Sequence, residues 1–354
     1  MGPLTLIGMG AVTAVGLTAA QSCAAIRAGL SAFTEIMLFP PPREPVLAAR
    51  VPAREHLKTP PERWLASLAA RAIRESIGDS HLDTRATALL LALPDSYRRH
   101  AAVARGASAV LRGIERQLES KFHPASTTIQ RGRAGVFEAL TAARQLLDER
   151  TVEACLVGGV DSLVNGVDAQ RLSGAGRLHD FDNPQGAIPG EGAAFWLVAA
   201  DSRRADAVAR LVGLGIDREA DNALGEKYAV GQGLRRALSA AARTAGCDES
   251  SVSFRVSDMN GERYHAWDST LAASRFYRTP RAALPVWYPA SCTGDIGAAA
   301  GALSVIFAVT AMTRGFAQGP VAMCEGSSDD GLRAGCVVVP GTGAPDPPFR
   351  ANER

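Results

Sequence analysis

The stretch PASCTGDIGAAAGALSV, from Pro289 to Val305, carries the pattern that decides the fold of this chain. A short polar turn runs directly into an Ala/Gly-rich apolar segment, and a helix that is apolar on all sides is typical of a protein core. Asp295 stands at the entrance of this predicted helix. A carboxylate there either caps the helix N-terminus or pairs with a cation across the turn.

The same plan occurs earlier in the chain. GRAGVFEALTAARQLLDERTVEACLVGG begins at Gly132, and GAAAGALSVIFAVTAMTRGFAQGPVAMCEG begins at Gly297. Each combines a Gly/Ala-rich helix start, about four helical turns, a connection and a buried strand ending in glycine, with Gly135 opposite Gly301. The repeat predicts two stacked α/β units, 1–203 and 204–340, followed by a flexible tail, 341–354.

Composition narrows the class of protein. The 354 residues carry 38 basic and 36 acidic side chains with no basic stripe, which disfavours nucleic-acid binding. No run is apolar enough to span a bilayer, so we expect no membrane association. Six scattered cysteines without CxxC or zinc-ligand spacing predict buried free thiols in the cytoplasm, with no metal and no cofactor.

Four motifs occur in a characteristic order: IGMGAVTAVG near Ile7, AARQLLDERTVEACLVGGVDSLV from Ala142, RLHDFDNPQGAIPGEGAAFWLVA from Arg177 and CTGDIGAAAGA from Cys292. Together they resemble the β-ketoacyl synthases of the thiolase-like superfamily, over residues 1 to about 340. The resemblance implies an α/β fold of duplicated βαβαβαββ halves in a layered α-β-α-β-α architecture.

The resemblance also implies a catalytic set that this chain lacks. Family members use a cysteine at a strand-to-helix turn, which takes up the acyl chain as a thioester, and two histidines that stabilise an enolate. The cysteine position holds Gly132, or Arg133 after a one-residue slip. The first histidine position holds Asn260, or Met259 in the alternative alignment, and the second holds Asp295. These are the vestigial active-site positions.

Further residues are candidates for the surrounding pocket: Arg131, Glu262, Cys292 and Gly326. Asp295 could pair with Arg131 or Arg133 across the old site. Cys292 is either a relocated nucleophile or an ordinary small buried residue. His265 follows the first histidine position by five or six residues, and we expect it at the surface.

The C-terminal glycine loop departs from the family as well. CEGSSDDGLRAG, from Cys324, lacks the phenylalanine that gates acyl entry and carries Asp329 and Asp330 instead. An ionised Asp295 would oppose the negative charge of an enolate. We therefore expect neither ketosynthase nor decarboxylase turnover.

Three functions fit these observations. The first is a catalytically silent ketosynthase homologue that acts as a binding or scaffolding subunit. It would be a homodimer, or a heterodimer with a ketosynthase-like paralogue, with an acyl carrier protein as a further partner. The second is an adaptor of a bacterial type VI secretion effector cluster, with a secreted effector as its partner. The third is a rewired acyltransferase-like enzyme that uses Asp295 and Cys292, which a cleft filled by side chains would disfavour.

Overall fold

The computed structural model describes residues 3–39, 44–52, 59–78, 80, 82–98, 103, 106–200 and 207–341. Apart from Gly341, the expected flexible tail lies outside the described residues.

The strands alternate with helices along the chain. The described residues form β1 Leu4–Thr13, β2 Phe33–Ile36, β3 Val46–Ala49, β4 Thr87–Leu93, β5 Thr127–Gln130, β6 Ala154–Ser162, β7 Glu191–Ala199, β8 Ala209–Arg218, β9 Phe254–Val256, β10 Val286–Trp287, β11 Ala322–Ser327 and β12 Leu332–Pro340. The helices are α1 Ala19–Ala28, α2 Pro61–Ile77, α3 Ser108–Leu118, α4 Gly135–Asp148, α5 Gly166–Gly174, α6 Gln232–Ala245, α7 Arg263–Phe276, α8 Ala290–Thr293 and α9 Ala300–Thr313.

Ten of the strands form one mixed sheet, in the order β10-β9-β11-β12-β8-β1-β7-β6-β4-β5. In the first half, β5, β4 and β6 are parallel, whereas β7 and β1 join by antiparallel pairing. In the second half, β10, β9 and β11 are parallel, whereas β12 and β8 join by antiparallel pairing. The halves meet where Leu4–Leu6 of β1 pair with Ala209–Leu211 of β8. The duplicated plan is confirmed.

The two halves of the sheet form two β layers on either side of the central helices, as a layered α-β-α-β-α architecture requires, and three large apolar cores lie against these layers. Alternate residues of a strand point to opposite faces, so Leu90 of β4 lies in the central core with Phe137 of α4 and Ile306 of α9. Its neighbour Leu89 lies in an outer core beneath α2 and α3. A third core lies beneath α6 and α7, where Leu238 is buried. The predicted fold class is confirmed.

The central helices α4 and α9 both begin after a tight turn, Gly132–Ala134 and Gly297–Ala299 respectively. Gly132 has φ +58° and Gly297 has φ +51°, a left-handed region that strains any residue with a side chain. Element order therefore pairs Gly132 with Gly297, one residue away from the expected pairing of Gly135 with Gly301. Within the described part of the chain, no helix combines the length and the hydropathy needed to cross a membrane.

Candidate functional site

A buried ion pair joins the entrances of the two central helices. Arg133, in the turn before α4, places Nη1 2.6 Å from Oδ2 of Asp295, in the turn before α9. The side chains are 7% and 3% exposed. Of the two pairings considered from the sequence, that of Asp295 with Arg133 is present in the structure. Both charged groups are buried.

Arg133 has further acceptors around its guanidinium. Nη2 lies 2.9 Å from Oδ1 of Asp329, and Nε donates to the carbonyl oxygen of Ser327 at 3.0 Å. A third carboxylate, that of Asp258, lies 3.6 Å from Nε. Burying a guanidinium costs several kcal/mol unless carboxylates and hydrogen bonds offset the loss of hydration. These neighbours provide that compensation, and they raise the pKa of Arg133 despite the opposing effect of burial.

Asp295 accepts a backbone hydrogen bond within the turn before α9 and forms the ion pair at the same time. Oδ1 accepts the N–H of Gly297 at 2.9 Å, while Oδ2 accepts the side-chain amide of Asn260 at 2.7 Å as well as Arg133. Burial alone would raise the pKa of Asp295, but Arg133, Asn260 and the Gly297 amide together hold it below its ordinary value. Of the two roles proposed from the sequence, the pairing with a cation is present, whereas the carboxylate does not cap α9 itself: it accepts an N–H in the turn before the helix, and Ala299 precedes α9 without a side-chain cap.

The network continues through Glu262 and Asp329. Arg177 forms a bidentate pair with Glu262, at 2.5 and 2.9 Å, and reaches Oδ2 of Asp329 at 2.9 Å. Asn260 donates its amide to Glu262 at 2.8 Å, and the Tyr97 hydroxyl donates to Asp329 at 2.5 Å. Burial favours a raised pKa for Asp329, but Arg177 and Arg133 outweigh it and lower this pKa well below its ordinary value.

His265 was expected at the surface, and that prediction is wrong. The residue is only 4% exposed, and Nε2 faces both Nη2 of Arg133 and, at 3.2 Å, Oδ1 of Asp329. Burial, assisted by Arg133, lowers the pKa of His265, so the neutral form is favoured at neutral pH. The missed signal is the spacing of His265, Asp268, Ala272 and Phe276, which form the buried face of α7.

A side chain at position 132 would collide with the carboxyl group of Asp95 as it stands in the structure. A Cβ at this position would lie 2.0 Å from Oδ2 of Asp95, closer than any real contact. Asp95 is 8% exposed, and its Oδ1 finds no hydrogen-bond partner within the part of the chain described. Burial, reinforced by Asp329, raises the pKa of Asp95 to about 7. A buried carboxyl group with a raised pKa therefore occupies the space beside the expected nucleophile position.

The raised pKa of Asp95 predicts how the free energy of unfolding depends on pH. Between pH 4 and 7 the folded protein keeps a proton on Asp95 that the unfolded chain releases, so this contribution to the free energy of unfolding declines as pH rises and is lost above 7. Asp95→Asn is expected to raise the free energy of unfolding at pH 8 by about 1–3 kcal/mol. The gain should shrink towards pH 4.

Urea unfolding of both proteins at pH 4, 6 and 8 measures this difference. Asp258 and His265 also have shifted pKa values, but they are present in both proteins and largely cancel. The quantity compared is the difference in free energy of unfolding between Asp95→Asn and the parent. If this difference is no larger at pH 8 than at pH 4, the prediction is contradicted.

The remaining predicted pocket residues differ in their burial and in whether they contact Asp295. Arg131 is 40% exposed and pairs with Asp330 at 2.7 Å, away from Asp295. Met259 is half-buried, and it is Asn260 whose side chain reaches Asp295. Cys292 is buried in α8, where burial raises the pKa of its thiol. Gly326 in β11 packs against the ring of Phe137.

Side-chain oxygens also accept hydrogen bonds from backbone N–H groups at both helix entrances. The N–H of Ala134 donates to Oγ of Ser328 at 2.9 Å, and the N–H of Ala298 donates to Oδ2 of Asp161 at 3.0 Å. Asp161 is held in turn by the buried Arg98, whose Nη1 lies 2.6 Å away. Amides of this kind form oxyanion holes in acyl-transfer sites. Here the two N–H groups already donate to Ser328 and Asp161 of the same chain. Neither Arg98 nor Asp161 was anticipated from the sequence.

Space beside the ion pair is small. A cavity of about 10 Å³ adjoins Asp295 and Thr293, which is room for about one water molecule. A larger surface cleft of about 370 Å³ reaches the outer side of the network at Arg177 and Glu262. Among the residues that the structure describes, no group of His, Cys, Asp and Glu side chains could hold a metal ion.

Comparison with known proteins identifies the fold. No protein-family model and no curated protein matches the sequence. Solved structures do match. One is a type II polyketide synthase complex of an acyl-carrier protein with its ketosynthase bound to the hexaketide, at TM-score 0.79 and 14% identity over 96% of this chain and 99% of that chain.

Two further structures give the same result. The ishigamide ketosynthase/chain length factor matches at TM-score 0.78 and 19% identity, over 97% of this chain and 100% of that chain. A ketosynthase in complex with its chain length factor from Xenorhabdus doucetiae matches at TM-score 0.77 and 15% identity, over 96% and 98%. The resemblance noted in the sequence is thus confirmed by structure: this chain has the thiolase-like fold of the ketosynthases and chain length factors.

Proposed function

We propose that this protein is a catalytically silent ketosynthase homologue that acts as a binding or scaffolding subunit. The observation that carries the proposal is the buried ion pair between Arg133 and Asp295. It joins two positions at which the resemblance places reacting groups. The surrounding hydrogen bonds use the polar atoms that a substrate would need.

The chemistry at these positions supports a silent site. Gly132 offers no nucleophile, and Asp95 fills the space that a side chain would need. Asp295 has a lowered pKa and both oxygens engaged, which makes it a poor general base at neutral pH. The raised pKa of Cys292 disfavours its thiolate, the form that attacks acyl groups. These features disfavour the rewired acyltransferase.

Two surface features support a binding role. The described residues leave β5 with one unpaired edge at the end of the ten-stranded sheet, and such an edge can pair with a second chain. Two β5 strands joined in this way would lie at the centre of a continuous sheet. Trp267 and Tyr228, each about half exposed, belong to residue types that dominate protein interfaces.

The partner we propose is a second copy of this chain or a ketosynthase-like paralogue. The structural neighbours support it, because several are complexes of a ketosynthase with a chain length factor or an acyl-carrier protein. The six buried free thiols support a cytoplasmic location. Co-purification from the native host is the measurement that separates these partners from the secreted effector of the alternative proposal, an adaptor of a type VI secretion effector cluster.

The catalytic proposal is tested by intact-protein mass spectrometry after incubation with acetyl-CoA, malonyl-CoA and acylated carrier protein. We expect no covalent adduct and no release of carbon dioxide from the malonyl thioester. A stable adduct on Cys292 would overturn the silent-site proposal. A ketosynthase with its cysteine intact, treated in parallel, shows that adducts are detectable.

The edge-strand proposal is tested by the mass of the particle in solution. Light scattering coupled to size-exclusion chromatography should show two chains per particle. The register of β5 with β4 directs the backbone of Thr127 to β4 and that of Thr128 to the open edge. Thr128→Pro should therefore shift the particle towards one chain, because proline removes a backbone donor from the edge. Ser31→Pro, at an exposed loop position whose N–H has no hydrogen-bond partner among the described residues, is the control. A monomer at micromolar concentration, or a dimer that Thr128→Pro leaves intact, would contradict the prediction.

A further inference from the structure

A second cavity lies at the C-terminal end of α9, whereas the Arg133 site lies at the entrance of that helix. It has a volume of about 630 Å³, within the range typical of ligand pockets. Its walls are one face of α1, the C-terminal end of α9 and the strand β1. Because α9 has 14 residues and rises about 1.5 Å per residue, this cavity is about 20 Å from the ion pair at the helix entrance.

Most of the lining of this cavity is apolar. Met9 forms part of the floor, and α1 presents small side chains at helical spacing, among them Ala20 and Ala24. Phe316 forms the wall beyond α9, with its ring held in place by the rings of Phe307, at 5.9 Å, and Trp287, at 6.2 Å. The groove is therefore formed by fixed aromatic and backbone elements, and a ligand need not order it.

Two arginines stand at one end of the cavity. The guanidinium of Arg27 lies 4.4 Å from the centre of the Phe316 ring, and Arg314 follows α9 directly. Neither forms an ion pair with any residue in the described part of the chain. Two cations without carboxylate partners, beside an apolar wall, provide charge complementarity for an anion.

The one carboxylate in the cavity is already engaged. Both oxygens of Glu75 accept the backbone N–H of Ala19 at 2.8–2.9 Å, and Oε2 also accepts that of Ala11 at 2.9 Å. Ala19 and Arg27 are eight residues apart on α1, so Glu75 binds the helix about 12 Å along its axis from Arg27. An anionic head at the arginine end would therefore be remote from this negative charge, and an apolar body would cover the small residues of α1.

We propose that this groove binds an amphiphilic anion, an aliphatic chain ending in a carboxylate. The carboxylate lies between Arg27 and Arg314, and the chain runs along Ala24 and Ala20 towards Met9. This site does not depend on the silence of the Arg133 site, and its failure would leave that proposal intact.

Isothermal titration of the full chain with decanoate, below its micelle concentration, tests the proposal. We expect saturable binding, and at least tenfold weaker binding by the double variant Arg27→Gln/Arg314→Gln. Ala24→Phe, at an exposed position, should fill the groove and abolish binding. Decan-1-ol, which lacks the charge, should bind at least tenfold more weakly than decanoate.

The control is Arg243→Gln, another exposed arginine, which should leave the affinity for decanoate unchanged. Absence of saturable decanoate binding would overturn the proposal, as would equal affinity in the double arginine variant or in Ala24→Phe. The proposal would also be overturned if the protein co-sediments with phosphatidylglycerol vesicles but does not bind soluble decanoate. The arginines would then bind an anionic membrane surface. Circular dichroism confirms that each variant is folded.

Discussion

Arg133→Met is expected to lower the free energy of unfolding by about 3–5 kcal/mol, because it leaves buried carboxylates without their cation. Asp295 and Asp329 lie 2.6 and 2.9 Å from the guanidinium, and each is less than a tenth exposed. Methionine matches much of the side-chain volume, so packing changes little and the loss is electrostatic. Urea unfolding at pH 7, followed by circular dichroism, measures it.

Arg131→Met is the matched control for this prediction. Arg131 is two residues away and also pairs with an aspartate, but its side chain is 40% exposed. Exposed ion pairs contribute about 0–1 kcal/mol, so this variant should unfold close to the parent. Equal effects of the two substitutions would show that burial of the Arg133 pair contributes nothing.

A second comparison separates charge from packing. In Arg133→Met/Asp295→Asn, the carboxylate closest to the missing cation is neutralised and Asn260 retains a hydrogen-bond acceptor. The double variant should therefore regain part of the loss, as expected for groups in direct contact. If it is no more stable than Arg133→Met alone, the ion pair is not the source of the destabilisation.

The fold was predictable because its signals are long and repeated. Near-continuous apolar strands such as β6 and the apolar helix α9 indicate elements covered on both sides, and the repeat indicated two such units. The short strands β5 and β10, of four and two residues, carry too few apolar positions to be distinguished from loops. They are defined by parallel pairing with a neighbour distant in sequence.

The site was predictable only in part, for a related reason. Local motifs placed Asp295 at one position, and they placed the other two vestigial positions to within one residue, at Gly132 or Arg133 and at Asn260 or Met259. The partners of Arg133 depend on which side chains from four separate segments face one point in space. These side chains are Asp329 from the loop after β11, His265 from α7, Asp258 from the segment after β9 and Asp295 from the turn before α9. Patterns in a single sequence do not show which distant segments meet in space.

Gly132→Cys should destabilise the protein without restoring acyl transfer. The substitution forces a side chain into a left-handed backbone conformation with φ +58°, which costs about 1–2 kcal/mol. Its Cβ would also lie 2.0 Å from Oδ2 of Asp95, and overpacking of this kind costs about 1–3 kcal/mol more. The expected loss in the free energy of unfolding is therefore about 2–5 kcal/mol.

Gly246→Cys separates these two contributions. Gly246 has φ +70°, but no atom lies within 4 Å of an added Cβ, so this control carries the backbone strain alone. Gly132→Cys should be the more destabilised of the two, and Gly132→Cys/Asp95→Ala should approach the Gly246→Cys control. If both single variants lose the same free energy of unfolding, the Asp95 side chain moves away from the new Cβ at no measurable cost.

The activity of Gly132→Cys then tests whether the missing thiol is the only defect. Even with the nucleophile restored, Arg133 remains paired with Asp295, and Ser328 still occupies the Ala134 amide. When a thiolate attacks acetyl-CoA, the tetrahedral oxyanion needs free N–H donors before CoA leaves as its thiolate, and here the Ala134 N–H is already engaged. We therefore expect no acyl adduct with acetyl-CoA by intact-protein mass spectrometry. An adduct in the folded variant would show that loss of the cysteine alone silenced the site.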